Sequence, residues 1–562
     1  MSSYTLQLKR LSFLVVSSLI LTNCGGGGGA TTSSSSTTTT TSTTTNSTST
    51  DEFSQTSYKG LEFYSKVMPS SKYKLEPLTD GEFNALSSDD KLLVANKLLN
   101  SLFFGYPLAT LKEKIDSGTF ISDIRESLNS TKTDRAYLEE HLLDSDYFYQ
   151  YTYGEEQAVL ILTRFYEMKN LDKYFINNWI AYILTQTIMF SPAYELSSSH
   201  SPDISRVYNR IVNMLENGNG MRFIAYVHMM SEDNWRRFRS PEDNGREMLE
   251  IFLFDTDDTH VPLAGKALQN WKLNRDNDTL EIGLNQNTEP IKLFGTTIYN
   301  GDDFYRELAK SDDFTKGVTT RLVDFFFPED TQSQKDDIVK KIVSSKPEAW
   351  QDILFQIIFS KEYLLNNHRT QSAEETFFSL AKKLHFKHHR STFSYLKTAL
   401  ENMHQATMKY KLGRLERVPE DTLSISYYTQ YIRNEILLRY SSVDDNYDSW
   451  SRQGWSDDFL SFDNFDYDTT DDVRSLASLV NYIFNTVVAR DALADEQAMF
   501  KEHMIEDRDG KELFKYEFNM FVTYDDEEKT IRKQEEYKRN IATVVFEYLS
   551  RVDMTYRQRE VK

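Results

Sequence analysis

Cysteine is nearly absent from this chain: Cys24 is the only one in 562 residues. No disulfide can form within the chain, and the long part that follows has no thiol for nucleophilic or metal-thiolate chemistry. Proline and glycine are scarce, at 11 and 21, which argues against a turn-rich β sandwich and for long helices. Positive charge is also short, with 64 Lys and Arg against 85 Asp and Glu, a net −21. That balance argues against a nucleic-acid or anionic-lipid surface, because such partners need clustered cations to replace counterions. Beyond the N-terminus no stretch reaches the ~20 uninterrupted apolar residues of a membrane-spanning helix. Familiar catalytic signatures are missing as well: there is no Gly-x-Ser-x-Gly elbow, no Gly-x-x-x-x-Gly-Lys phosphate loop and no His-Glu-x-x-His pair.

What is present begins with an export signal. Lys9 and Arg10 supply positive charge, Leu11 to Leu21 form a short apolar core, and Leu21-Thr22-Asn23-Cys24 follows. This tetrad resembles the lipobox cut by lipoprotein signal peptidase, although Asn23 stands where a small residue is usual. The resemblance implies removal of residues 1–23 and acylation of Cys24, whose sulfur forms the thioether to diacylglycerol. An ordinary signal peptide with a chance cysteine is the competing reading. Gly25 to Gly29 and a Ser/Thr run to Thr50 come next. Such a segment has nothing to bury, so residues 24–57 read as a disordered tether, with a reach of roughly 30 Å for about 30 residues. By resemblance to sorting patterns, Gly25 in place of a retaining Asp points to the outer membrane, with the bilayer itself as the partner of acylated Cys24.

The remaining residues exceed the size at which one core usually divides. The expected architecture is mainly α: a large multi-helix array of two packed lobes, with long irregular loops and few or no strands. Residues 58–440 form the main helical domain, 441–472 an acidic aromatic loop, and 473–562 a C-terminal helical region. Thr79-Asp80-Gly81-Glu82 has capping-box spacing. Apolar residues recur at helical spacing over Asp89–Phe104, Leu108–Ile115, Phe120–Leu128, Gln157–Met168 and Leu171–Phe190, the last ended by Ser191-Pro192. The same periodicity predicts helices at Ile204–Glu216, Met221–Met230, Asn244–Phe254, Pro262–Trp271, Gly301–Ala309 and Phe314–Phe326. It continues at Asp336–Val343, Trp350–Leu365, Ala373–Leu384, Thr392–Lys411 and Ser424–Leu438.

Several of these segments, in order, resemble the bacterial family called domain of unknown function 1800. Val94 to Gly105, with Gly118 downstream, is similar to its opening helix and aromatic-Gly pair. Glu242-Asp243-Asn244-Gly245-Arg246-Glu247-Met248-Leu249-Glu250, followed by Val261 to Trp271, is similar to its central Asn-Glu-Asn-x-x-Arg-Glu-x-x-Glu block and the following helix that ends in Gly-Trp. Asp243 stands in place of the family's second Asn, His260 in place of a later Asp, and Asn270 in place of Gly. The resemblance runs from about Leu78 to Leu365, and more weakly to Ser550. It implies an exported, mainly helical protein of no established activity, with a second exported protein as a possible partner.

Four groups of side chains are candidates for chemistry. Arg246, Glu247 and Glu250 share one early-helix surface, with Asp243 or Asn244 near its cap, where Arg could hold a carboxylate or bind an anion, or where an ion network could set helix packing. Trp235 and Arg236 precede this block and could line a ligand cleft by stacking, or form an ordinary capped connection. His385, His388 and His389, at i, i+3 and i+4 of a predicted helix, could face one metal, although Lys382, Lys383, Lys387 and Arg390 around them favour a solvated basic face. Ten Asp residues lie between Asp444 and Asp472, among them Asp463, Asp466 and Asp468. They could hold calcium, but neither this stretch nor Asp507-Arg508-Asp509-Gly510 completes an EF-hand pattern. No cofactor is expected, with Ca2+ the one candidate. The leading functional expectation is a noncatalytic lipoprotein that binds or scaffolds another exported protein or an envelope component. Its competitor is an envelope hydrolase with a polar site around Arg246 and Glu250.

Overall fold

The computed structural model describes residues 66–70, 72–132, 154–189, 204–274, 276, 279–386, 392–402 and 457–561. All of them fall in one compact unit, Phe53–Lys562. Residues 1–23, Cys24, the tether and the predicted helix Ser424–Leu438 lie outside the described residues. So do His388, His389 and residues 441–456 of the acidic loop.

The chain is mainly helical. In the first segment α1 is Asp80–Asn84, α2 Ser88–Ser101, α3 Leu108–Asp116 and α4 Phe120–Ser127. The capping box forms as the spacing required, with Glu82 N bonded to Thr79 Oγ1 at 3.3 Å and Thr79 N to the Glu82 carboxylate at 3.1 Å. Helix α2 starts at Ser87, whose hydroxyl accepts from Asp90 N at 3.2 Å, and buries Leu92, Ala95, Leu98 and Leu99 on one stripe. Next come α5 Gly154–Glu167, α6 Lys173–Thr187, α7 Ile204–Glu216, α8 Met221–Met229, α9 Glu232–Arg237, α10 Pro241–Leu253 and α11 Val261–Ala267. Helix α6 is buried almost all round, from Tyr174 to Thr185, as befits a helix at the centre of an all-helical core. Helices α12 Gly301–Lys310, α13 Asp312–Phe326, α14 Gln332–Ser344, α15 Trp350–Ile358, α16 Ala373–Lys383 and α17 Thr392–Asn402 follow, then α18 Asp472–Val488, α19 Ala494–Met504 and α20 Glu527–Leu549. One apolar core runs from Leu75 to Tyr556 and includes side chains on both sides of residues 441–472.

Two expected helices are cut short. Helix α11 ends at Ala267, and Trp271 instead opens strand β1 Trp271–Asn274, paired antiparallel with β2 Thr279–Ile282. Strands β3 Ile291–Leu293 and β4 Thr296–Ile298 form a second hairpin, whose two-residue turn places Phe294 and Gly295 at φ 55° and 68°. The long Trp350 helix stops at Ile358, and the chain continues as one π-helical turn, Glu362–Asn366. Helix α16 ends at Lys383, within one residue of the expected Leu384, and His385, expected on a helix, stands beyond it in the left-handed region at φ 49°. Strand β5 Arg369–Thr370 pairs with β8 Arg557–Gln558 near the C-terminus, and β6 Ile505–Arg508 pairs with β7 Lys511–Phe514. Asp509 and Gly510, at φ 54° and 78°, turn that last hairpin, so the Asp507–Gly510 stretch is a tight β turn.

Buried cations tie helix ends together. Lys97 Nζ donates to the carbonyls of Tyr363, Leu364 and Asn367 at 3.2, 3.2 and 2.5 Å. Lys382 Nζ donates to the carbonyls of Tyr166 and Met168, the latter at 2.6 Å, closing the C-terminal end of α5. Lys383 Nζ lies 3.4 Å from Asn100 Oδ1. Burial pulls the proton affinity of all three down to about 7. Unfolded lysine keeps its proton to about pH 10.4, so between pH 7 and 10 the unfolded chain binds more protons and stability rises with pH. Toward pH 7 this contribution is lost. The urea midpoint is therefore expected to be higher at pH 9.5 than at pH 7, and the gain to shrink in Lys383→Met, as followed by circular dichroism.

Candidate functional site

The family-like block forms α10 for clear local reasons. Ser240 Oγ accepts from Asp243 N at 3.2 Å, Pro241 occupies the first turn, and Phe254 closes the helix in the left-handed conformation at φ 57°. The helix then divides cleanly into two faces. Asn244, Gly245, Met248, Leu249, Ile251 and Phe252 are buried, whereas Asp243, Arg246, Glu247 and Glu250 form the outer stripe.

The inner face is closely packed. A Cβ on Gly245 would stand 2.7 Å from the Ala264 Cβ of α11, and one on Gly317 of α13 would stand 2.2 Å from the Phe252 carbonyl oxygen. Only glycine allows α11 and α13 to approach α10 this closely. Asn244 Oδ1 accepts from Tyr305 Oη of α12 at 2.7 Å, and its Nδ2 lies 3.5 Å from the Phe238 carbonyl. The Tyr305 hydroxyl is fully buried, and burial raises its pKa far beyond the usual tyrosine range. Arg321 of α13 donates to the Ile251 and Glu250 carbonyls, both at 2.8 Å, and stacks on Phe254 at 4.3 Å, capping the end of α10.

Trp235 belongs to this core and does not line a cleft. It is fully buried, stacked on Trp271 with ring centroids 6.0 Å apart, and Trp271 in turn meets Tyr305 edge-on at 5.6 Å. Stacking on a ligand is therefore closed to it. Arg236 is buried as well, 3.6 Å from the Asp233 carboxylate.

Asp233 is the focus that sequence reasoning missed. Its carboxylate is fully buried and bonds Arg206 at 2.6 Å and Arg210 at 2.5 Å, both on α7. Burial alone would raise its proton affinity, but the Arg210 and Arg206 guanidinium groups outweigh that and hold it below the usual carboxylate range. Burial, reinforced by Arg210, pushes neighbouring His228 down to about 3, so its imidazole is neutral. The sequence signal was Ser231-Glu232-Asp233-Asn234, which reads as a helix cap. Ser231 does cap α9, accepting from Asn234 N at 3.3 Å, while Asp233 faces inward to tie α7 to α9.

On the outer stripe Arg246 is exposed, and Asp243 and Glu250 are half-buried. Glu247 differs from them: its Oε2 is buried without a hydrogen-bond partner among the described residues, and burial, then the Glu250 charge, raise its pKa. Asn244→Ala strands the Tyr305 hydroxyl in the core and is expected to cost about 1–3 kcal/mol. Arg246→Ala is expected to stay within about 0.5 kcal/mol. Paired thermal melts separate the two.

Among the described residues the metal candidates are not brought together. His385 is exposed beyond the end of α16. Asp463 N bonds Ser461 Oγ at 3.3 Å, Asp466 pairs with Arg474 at 2.5 Å, and Asp468 accepts from Thr470 N and Oγ1 at 2.8 and 2.7 Å. These carboxylates serve turns and one surface ion pair. Among the described residues no three His, Cys, Asp or Glu side chains are placed to hold a metal ion, and no helix is long and apolar enough to cross a membrane.

No protein-family model matches the chain. No curated protein and no solved structure matches it either.

Proposed function

We propose that the chain is an exported lipoprotein, acylated at Cys24 and held at the outer membrane. Its helical body binds or scaffolds another exported protein or an envelope component, and it is a divergent relative of the domain of unknown function 1800 family. One observation carries the binding reading: the inner face of the family-like block is consumed in packing, while apolar side chains on the hairpins that follow it face outward. Ile282 and Tyr299 are about half-exposed, and Leu284 is fully exposed. Outward apolar groups of this kind are what a partner surface would use if they lie together in one patch. A hydrolase reading draws on Glu247 alone, whose raised proton affinity suits a general acid.

The test places a photo-crosslinking residue at position 284 of the lipidated protein in its native envelope. The binder reading expects one recurrent crosslinked partner, lost when Ile282→Asp is added. Release of fragments from envelope polymers by the purified body, abolished by Glu247→Gln, would replace it with the hydrolase reading.

A further inference from the structure

A second polar cluster lies where α2, the π turn, β5, α16 and the C-terminal strand meet. Ser101 Oγ and Tyr363 Oη are 2.6 Å apart, and Arg369 reaches Tyr363 Oη through Nη2 at 2.6 Å and Nε at 3.2 Å. Arg369 also makes a two-pronged pair with Glu375, one bond being 2.9 Å. All four side chains are buried. Into this socket reaches Gln558 from β8. Its Nε2 lies 3.2 Å from Ser101 Oγ and 3.4 Å from Tyr363 Oη, and its buried Oε1 has no partner among the described residues.

The segment that delivers Gln558 is seated as an added strand. Arg369 pairs with Gln558 and Thr370 with Arg557, while the backbone bonds Gln371 N to Tyr556 O and Val561 N to Leu365 O are both 2.8 Å. Tyr556 and Gln558 point inward, whereas Arg557 and Glu560 are exposed. The flanking ion pairs, His368 Nδ1 to Glu560 at 2.9 Å and Arg557 to Glu329 at 3.3 Å, are on the surface. Main-chain pairing plus one specific side-chain socket is the physics of strand addition. Surface ion pairs contribute little; the segment is held by these backbone bonds, by the buried Tyr556 and Gln558 side chains, and by Arg559, which donates to the Val488 carbonyl at 2.8 Å.

We propose that the β5 edge and the Ser101–Tyr363–Arg369 socket form a docking site for an extended peptide that presents a carboxamide side chain. In this structure the chain's own C-terminal segment fills it. The chemistry selects a neutral amide. Arg369 is already neutralised by Glu375, so a ligand carboxylate would itself bring in a negative charge with no free guanidinium to balance it, whereas the two hydroxyls accept from an amide N–H. An apolar side chain would leave those hydroxyls without the amide donor. This deepens the binding reading by naming a site for a partner.

The test titrates a fluorescein-labelled peptide of residues 552–562 into the full chain and follows anisotropy. Saturable binding is expected, with the Q558A and Q558E peptides at least tenfold weaker. Since the body has no cysteine, Thr370→Cys with Arg557→Cys can lock the strand, and binding is expected to vanish when oxidised and return on reduction. In hydrogen exchange the Val561 amide should open at least 100-fold faster than that of Leu98 in α2. The proposal falls if the locked chain binds equally well, if the Q558A peptide binds as tightly as its parent, or if Val561 exchanges only on global unfolding. Failure of the crosslink at position 284 would leave these results standing, so the two ideas fail separately.

Discussion

Asp233→Ala is expected to destabilise the body by about 3–5 kcal/mol, the usual penalty for removing one partner of a buried ion pair. The carboxylate is fully buried and is shared by Arg206, Arg210 and Arg236. Without it the Arg206 and Arg210 guanidinium groups lose the buried carboxylate they share. Arg210 is itself buried, so water cannot easily take the place of the lost carboxylate. The measurement is a urea denaturation midpoint, compared with Arg210→Met and with the double variant. A double variant milder than the sum of the two single ones would show that the penalty is the stranded charge. Equal stability of Asp233→Ala and the parent would contradict the role given to this residue.

Gly317→Ala is expected to be nearly as damaging, at about 3 kcal/mol or slightly more, because overpacking against backbone cannot be relieved by rotating a side chain. The new Cβ would stand 2.2 Å from the Phe252 carbonyl oxygen, 2.8 Å from its carbon and 2.9 Å from the Leu253 Cα. Helix α13 would have to back away from α10, loosening the contacts that Arg321 makes with the Glu250 and Ile251 carbonyls. Gly81→Ala is the control: its nearest neighbour would be 4.0 Å away, so a change within about 0.5 kcal/mol is expected. Melting temperatures of the two variants side by side test the claim, and a neutral Gly317→Ala would contradict it.

The legible part of the fold was the part written in helical periodicity and punctuation. The pattern gives Ile204–Glu216 at both ends, and α2, α3 and α4 within a few residues, because the capping Ser87, Pro107 and apolar stripes mark them locally. The hairpins were missed for an equally local reason. Their strands are three or four residues long, too short for alternation to stand out, and Trp271 looked like the last apolar residue of a helix. One turn did leave a signal, since Asp509-Gly510 is a residue pair that readily takes two positive φ angles in succession, whereas Phe294 is an unusual residue for the positive φ it holds. Asp509-Gly510 was weighed instead as a fragment of a calcium loop.

For the candidate site, spacing did reveal that Arg246, Glu247 and Glu250 share one stripe of α10. It could not reveal that Asn244 and Trp235 point the other way into a core built with Tyr305 and Trp271, because those partners lie up to 61 residues away. The same holds for Asp233, whose role depends on arginines from a different helix. Long-range pairing is the information that a single sequence carries least. Gly245 and Gly317 show the converse: a glycine inside a helical pattern is a local oddity, and here each marks a close helix crossing.

Everything proposed about partners depends on where the chain resides, and that rests on Cys24. Intact-mass analysis of the protein extracted from its native membranes tests it most directly. The expected result is a mature chain that begins at Cys24, carries the mass of a diacylglyceryl group with added acyl chains, and is recovered in the outer-membrane fraction. An unmodified chain found free of the membrane would contradict it.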